Sequence, residues 1–233
     1  MNTDDIKQLK NRFSELEMRC GHSDFLTLAQ QDVLRQTGLS YELDGGYPEA
    51  ERRMALFGGC KAPVTCVEIS PLSKKFASDI SHRDFLGALM GLSLRRELMG
   101  DIIVQDKTGY LFCLESIANV IVQDLTSVGR TSVKVDYGTP PPNGTYIPAE
   151  SVTVTSSERL DAAVAAVFNL SRADSAAIIL SERVMINGSV AAKASGTLTA
   201  GEIVSVRGFG RFKYEGISGE TKKGRLRITI RKY

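Results

Sequence analysis

Between residues 64 and 136 the apolar pattern switches between two-residue and helical spacing in one fixed order, which constrains the fold more than any other feature of the chain. Val64 to Ile69 reads as a strand and Ser81 to about Leu94 as a helix. Ile102 to Gln105 and Tyr110 to Leu114 read as two strands joined by the hairpin turn Asp106-Lys107-Thr108-Gly109. Ser116 to Leu125 is a helix and Thr131 to Asp136 a strand. The order β-α-β-β-α-β predicts a ferredoxin-like domain, a four-stranded antiparallel sheet with both helices on one face. Many unrelated functions use that plan, so it names no activity.

The flanks differ. Ile6, Leu9, Phe13 and Leu16 recur at helical spacing over residues 4–20. Ser23 is placed to cap a second helix reaching Thr37, with Phe25, Leu28, Ala29 and Val33 inward, and Pro48 to open a short third one through Leu56. Thr139-Pro140-Pro141-Pro142-Asn143-Gly144 can continue neither regular element. Beyond it, Val152 to Thr155 reads as a strand, followed by two short helices and several short strands. The expected organisation is α+β: a mainly helical region 1–60, a ferredoxin-like domain 61–138, a Pro/Gly linker 139–150 and a small module 151–233.

Composition narrows the class. Hydrophobic residues at 42% and charged residues at 24% are ordinary for a globular chain. No apolar run is long enough for a membrane span, and the start Met1-Asn2-Thr3-Asp4-Asp5 lacks the basic and apolar parts of a secretory signal, so a cytoplasmic protein is expected. Cys20, Cys60, Cys66 and Cys113 have no metal-ligand spacing and only His22 and His82 accompany them, so no metal or other cofactor is expected. The net charge of +2 hides a division. Residues 159–233 carry 13 Lys+Arg against 6 Asp+Glu, whereas the remainder carries 16 against 21. A basic module on an otherwise acidic chain points to a polyanionic partner.

Within that module Leu160, Val164, Val167 and Phe168 give the first helix an apolar face, and Ala177, Ile178 and Leu180 do so for the second. Arg159 and Arg172 stand at the two helix starts, where a cation opposes the helix dipole by about 0.3–1 kcal/mol. An anionic partner accounts for them, and phosphates also bind at helix N-termini. Ser171 and Asp174 form a capping pair. Asn187-Gly188 is a tight-turn signal, and Lys193 follows. Arg207-Gly208-Phe209-Gly210-Arg211 joins two cations and two glycines to an aromatic able to stack on a base; the favoured reading puts Phe209 in the core and both arginines toward solvent or phosphate. Tyr110 and Phe112 share one face of the central sheet, where bases could stack. Arg225, Arg227 and Arg231 alternate with Leu226, Ile228 and Ile230 and form a positive row on a final strand, able to extend an RNA surface or to guard a sheet edge.

The stretch 159–212 resembles the ribosomal protein S-four, or alpha-L, RNA-binding domain through Arg159-Leu160-Asp161, Ser171-Arg172, Val184, Asn187-Gly188, Lys193 and Gly201-Glu202-Ile203-Val204. His82-Arg83-Asp84-Phe85-Leu86-Gly87, Gly100-Asp101-Ile102, Pro48-Glu49-Ala50-Glu51-Arg52-Arg53 and the Arg207-to-Arg211 run resemble the YlmH family. That resemblance implies a non-catalytic RNA-binding protein acting in ribosome-associated quality control, with rRNA and tRNA of the large ribosomal subunit as partners, no small-molecule substrate and no membrane. A monomer is the favoured state. The expected contacts are Arg159, Ser171, Arg172, Asn187, Lys193, Arg207 and Arg211, with His82, Arg83, Arg95, Arg96, Arg225 and Arg227 as a second tier. Two alternatives stay open: an RNA-modifying enzyme of pseudouridine-synthase type using Asp84, and a cell-division adaptor. Ser81 and Asp84 fit a capping box, which gives Asp84 a structural role.

Overall fold

The computed structural model describes residues 2–75, 79–141 and 148–233. Residues 142–147 of the expected linker lie outside that range. The chain forms two compact units, Met1–Thr145 and Tyr146–Tyr233.

The first unit opens with α1 (Thr3–Met18), started by a reciprocal Asn2–Asp5 capping box, and α2 (Leu28–Arg35), started by a second such box between Thr27 and Gln30. Thr27, and not Ser23, is the cap. Residues 22–26 are extended because His22 and Leu26 bridge to Leu56 and Arg53, and the Ser23 hydroxyl accepts a hydrogen bond from Ala55 N at 2.8 Å. The helix expected from Pro48 to Leu56 is absent. In its place β1 (Glu42–Asp44) pairs antiparallel with β2 (Met54–Leu56). The region 1–60 is therefore helix plus hairpin. The physical reason lies far along the chain: the Asp101 carboxylate accepts hydrogen bonds from Glu51 N (2.7 Å), Arg52 N (3.3 Å) and the Tyr47 hydroxyl (2.8 Å), replacing the carbonyl acceptors a helix would supply.

Next come β3 (Val64–Pro71), α3 (His82–Gly91), the 3-10 turn Arg96–Leu98, β4 (Met99–Gln105), β5 (Thr108–Leu114), α4 (Glu115–Asp124), β6 (Ser127–Val128) and β7 (Thr131–Gly138). They form one antiparallel sheet in the order β4-β5-β3-β7-β6. The β4–β5 turn is shorter than expected, because Gln105 pairs directly with Thr108. Asp106 and Lys107 between them both take left-handed φ, as the hairpin twist requires. Val67, Ile69, Leu111, Cys113, Val133 and Val135 on one sheet face meet Phe85 and Leu89 of α3 and Ile117, Ala118 and Ile121 of α4. Gly109 keeps β5 clear of α3, since a Cβ there would stand 2.7 Å from the Phe85 ring.

The opposite face is partly roofed by the N-terminal segment. Tyr47 packs on Phe112 with ring centroids 4.6 Å apart, and Phe25, Met54 and Leu56 cluster with Leu114. Phe112 is thus buried and closed to an incoming base. Tyr110 stays partly exposed, but it faces Glu68 across β3.

The second unit contains β8 (Glu150–Thr155), α5 (Leu160–Phe168), α6 (Arg172–Leu180), β9 (Val184–Ile186), β10 (Ser189–Val190), β11 (Ile203–Val206), β12 (Gly210–Glu220) and β13 (Leu226–Lys232). The sheet order is β10-β9-β11-β12-β13-β8. The final strand is interior, between β12 and β8, so guarding an edge is not its role. Leu160, Ala163 and Val164 of α5 meet Val204, Val206, Phe212, Tyr214, Ile228 and Ile230. In α6 the buried positions are Ser175 and Ile179, whereas Ala177 and Leu180 face water. The Ser175 hydroxyl donates to the Asp161 carbonyl at 2.8 Å, which satisfies it inside and sets the helix rotation. No single helix among the described residues is long and apolar enough to cross a membrane.

Candidate nucleic-acid interface

Arg159 precedes α5 as its N-cap in extended conformation, so its side chain turns back toward the helix. Its guanidinium donates to both oxygens of Asp161, at 3.1 and 2.9 Å. Arg172, the first residue of α6, donates to the same carboxylate at 3.4 and 3.3 Å and to the Ser156 hydroxyl. The two α-helix starts are thereby tied to one buried acid. The Arg159 hydrogen bonds hold the Asp161 carboxyl below the usual aspartate range, with burial opposing the effect and Arg172 adding to it. This corrects the expectation that only an anionic partner accounts for the two arginines. The pair keeps an open side: the side chains remain 44% and 49% exposed.

The same corner receives the loop that bears Lys193. Leu160 N donates to Gly196 O at 2.7 Å, Asp161 N to Ala194 O at 3.0 Å, and Arg159 bridges to Thr197. Lys193 itself is exposed. These bonds occupy the first amides of α5, so that helix start offers a phosphate its arginine and not those N–H groups. Ser171 is committed too, accepting from Asp174 N at 3.0 Å and donating to the Asp174 carboxylate at 2.6 Å. Asn187 is buried in a left-handed turn, and its side-chain oxygen accepts from Ile203 N at 2.9 Å. Its role is to lock the β9–β10 turn against β11, and it presents no surface to a ligand.

Arg207 and Arg211 stand apart, at the β11–β12 turn near Phe168 and the far end of α5. The length of α5 separates that end from Arg159. Arg207 is exposed, and Arg211 lies 4.3 Å over the Tyr233 ring. Phe209, expected in the core, is 40% exposed.

The second tier of residues separates in the same way. His82 and Arg83 are exposed on the first turn of α3, and Arg95 is exposed with Asp24 at 3.9 Å. Arg96 is a structural tie. It donates to Met99 O and Gly100 O, and burial followed by the neighbouring Arg52 charge pushes its pKa down to about 10. Arg52 likewise reaches Met99 O and Phe25 O. In the second unit Arg225 and Arg227 are exposed. Arg231 pairs with Glu215 and Glu150 at 2.8 and 2.5 Å, so the positive row is neutralised at that end. Sequence reasoning missed Lys232, whose ammonium lies 4.8 Å from the Phe168 ring centre.

Asp84 closes the capping box at the start of α3. Its carboxylate accepts from Ser81 N at 2.8 Å and the Ser81 hydroxyl at 2.6 Å, and those bonds lower its pKa. The buried Cys113 thiol is pushed up to about 12 by desolvation, which suppresses the thiolate. Among the described residues no cluster of three or more His, Cys, Asp or Glu could hold a metal.

The family model described as "Putative RNA-binding domain in YlmH" matches residues 63–139, the helix-backed sheet of the first unit. Among solved structures, the chain is similar to "Cell division protein ylmH from Streptococcus pneumoniae". The two are 19% identical with a TM-score of 0.47, over 59% of this chain and 93% of that one. It is 31% identical over 235 residues to "Ribosome-associated protein quality control protein P2" of Bacillus subtilis (strain 168), covering 94% of this chain and 90% of the relative. With that identity sustained over nearly the whole length, the chain belongs to the YlmH family.

Proposed function

We propose that this protein is a non-catalytic RNA-binding factor of ribosome-associated quality control, docking on structured rRNA and tRNA of the large ribosomal subunit. The observation that carries the reading is the corner where Arg159 and Arg172 share Asp161 beside the Lys193 loop. Two planar guanidinium forks and one ammonium face solvent there, a donor set suited to neighbouring phosphates. The similarity to a relative named for ribosome-associated quality control supports the setting. In the same reading the helix-backed sheet is ferredoxin-like, since its strand order puts the first and third strands at the centre. The second unit is an alpha-L module, and the protein is a cytoplasmic monomer. Binding is an equilibrium in which cations displace counterions and fix the docking orientation.

The test is sedimentation of lysates through sucrose gradients at low and moderate salt, with sequencing of crosslinked RNA. The expected result is co-migration with large subunits and crosslinks to rRNA and tRNA. Arg159→Ala with Arg172→Ala should abolish co-migration at moderate salt. Unchanged co-migration of the folded double variant would remove this corner from the interface. Base modification of rRNA that is lost in Asp84→Asn would instead support the enzyme reading.

A further inference from the structure

A second site stands at the β11–β12 turn, away from the arginine pair. The turn is stiff. Arg207 N donates to Arg183 O at 2.9 Å and the Arg183 guanidinium returns a bond to Arg207 O at 2.8 Å, while Phe209 N donates to Val206 O at 3.0 Å. Gly208 and Gly210, on either side of Phe209, have positive φ, a conformation that side chains strain to adopt. This backbone leaves the Phe209 ring 40% exposed at the tip.

Beneath it the aromatic rings pack at steep angles, 56° and 61° between planes. Phe168 touches Phe209 on one side and the fully buried Phe212 on another, each with centroids 5.9 Å apart. Lys232 Nζ lies 4.8 Å from the Phe168 ring centre and is held by Val167 O at 3.5 Å. Next to it the Arg211 guanidinium stacks 4.3 Å over Tyr233, itself 42% exposed, and Tyr233 N donates to Arg211 O. An exposed apolar ring supported by Phe168, which also carries Lys232, and flanked two residues away on either side by Arg207 and Arg211, has both parts of a nucleotide site. A π-face takes the base and cations take the flanking phosphates.

We propose that Phe209, backed by Phe168, is a stacking platform for one unpaired nucleobase of the bound RNA, with Arg207 and Lys232 contacting the adjoining phosphates. The proposal rests on the RNA-binding function above and adds to it a preference for RNA with an unpaired nucleotide. A base inside a continuous duplex keeps both faces stacked and cannot use the platform.

Fluorescence anisotropy with the full chain tests this, using a labelled RNA stem closed by an adenosine-rich loop and a blunt duplex of the same stem sequence. Phe209→Ala should weaken stem–loop binding about tenfold, as loss of one base–aromatic stack does, and leave duplex binding within about twofold. Phe209→Tyr keeps the π-face and should bind as the unaltered chain does. Arg172→Ala should weaken both RNAs alike. If Phe209→Ala weakens neither RNA, or both equally, while Arg172→Ala still weakens both, the platform is refuted and RNA binding stands. If the unaltered chain binds neither RNA, both ideas fall together. Circular dichroism of each variant establishes that the fold is intact.

Discussion

Removing Asp101 tests the claim that one carboxylate shapes the N-terminal segment. Asp101 accepts from Tyr47 Oη at 2.8 Å, Glu51 N at 2.7 Å and Arg52 N at 3.3 Å. Hydrogen bonds to a charged acceptor contribute about 1.5–3 kcal/mol each, and bonds that share one acceptor do not add fully. Asp101→Ala strands two partly buried backbone N–H groups, so a loss of about 3 kcal/mol is expected. For a unit of this size that lowers its melting temperature by about 6–12 °C. Asp101→Asn keeps the volume and one acceptor, and should cost about half as much.

Calorimetry with amide hydrogen exchange locates the effect. The exchange increase should fall in residues 42–56 and on β5 at Phe112, where the Tyr47 ring lifts away, and should spare the second unit. A double-mutant cycle isolates the bond itself. Tyr47→Phe should cost about 1 kcal/mol in the unaltered chain and near zero beside Asp101→Ala, which removes the acceptor. Additive costs in that cycle, or a loss below about 1 kcal/mol for Asp101→Ala, would refute the idea that Asp101 holds this segment.

The remaining predictions concern pH, packing and salt. The Asp161 pKa is depressed in the fold. Its contribution is therefore present above the unfolded aspartate value of about 3.9 and lost as pH falls through the folded one. Acid unfolding of the second unit, followed by exchange of β11 and β12 amides, should accordingly begin at higher pH in Arg159→Ala. Gly109→Ala drives a methyl against Phe85. It should destabilise the first unit by about 1–3 kcal/mol in urea titrations. Lys193→Ala should leave stability unchanged and reduce the slope of log affinity against log salt by about one for any RNA that binds.

The central elements are legible in the sequence because local signals agree there. Ser81 and Asp84 announce the start of α3, and alternating Val67, Ile69, Leu111 and Cys113 mark one buried face. The segment from Pro48 to Leu56 misleads because the proline signal for a helix start is local, whereas its acceptor, Asp101, lies far along the chain. In α6 the inward Ser175 hides the buried face, since a satisfied hydroxyl looks polar in any pattern. At the candidate site both arginines are found by their position at helix starts, but their shared counterion is not. Residues two apart do not meet on a helix surface. Arg159 reaches Asp161 only because a cap residue lies outside the helical path. Asn187 reads as a contact because a turn residue and a ligand residue look alike until burial is known. The outward turn of Phe209 follows from positive-φ glycines on both sides, which hydrophobic spacing does not encode.

Shared anchoring on Asp161 also has an entropic consequence. A free arginine surrenders rotamer freedom when it grips a phosphate, and that loss subtracts from affinity. Arg159 and Arg172 have already surrendered part of it on folding, both forks fixed by the same carboxylate and Arg172 also by the Ser156 hydroxyl, while their side chains stay 44% and 49% exposed. In the proposed interface an RNA would meet two donors whose spacing is set by the α5–α6 corner. A substitution at Asp161 that raises the local positive charge would at the same time unfasten both side chains. Stronger long-range attraction would then come with poorer discrimination between RNA shapes.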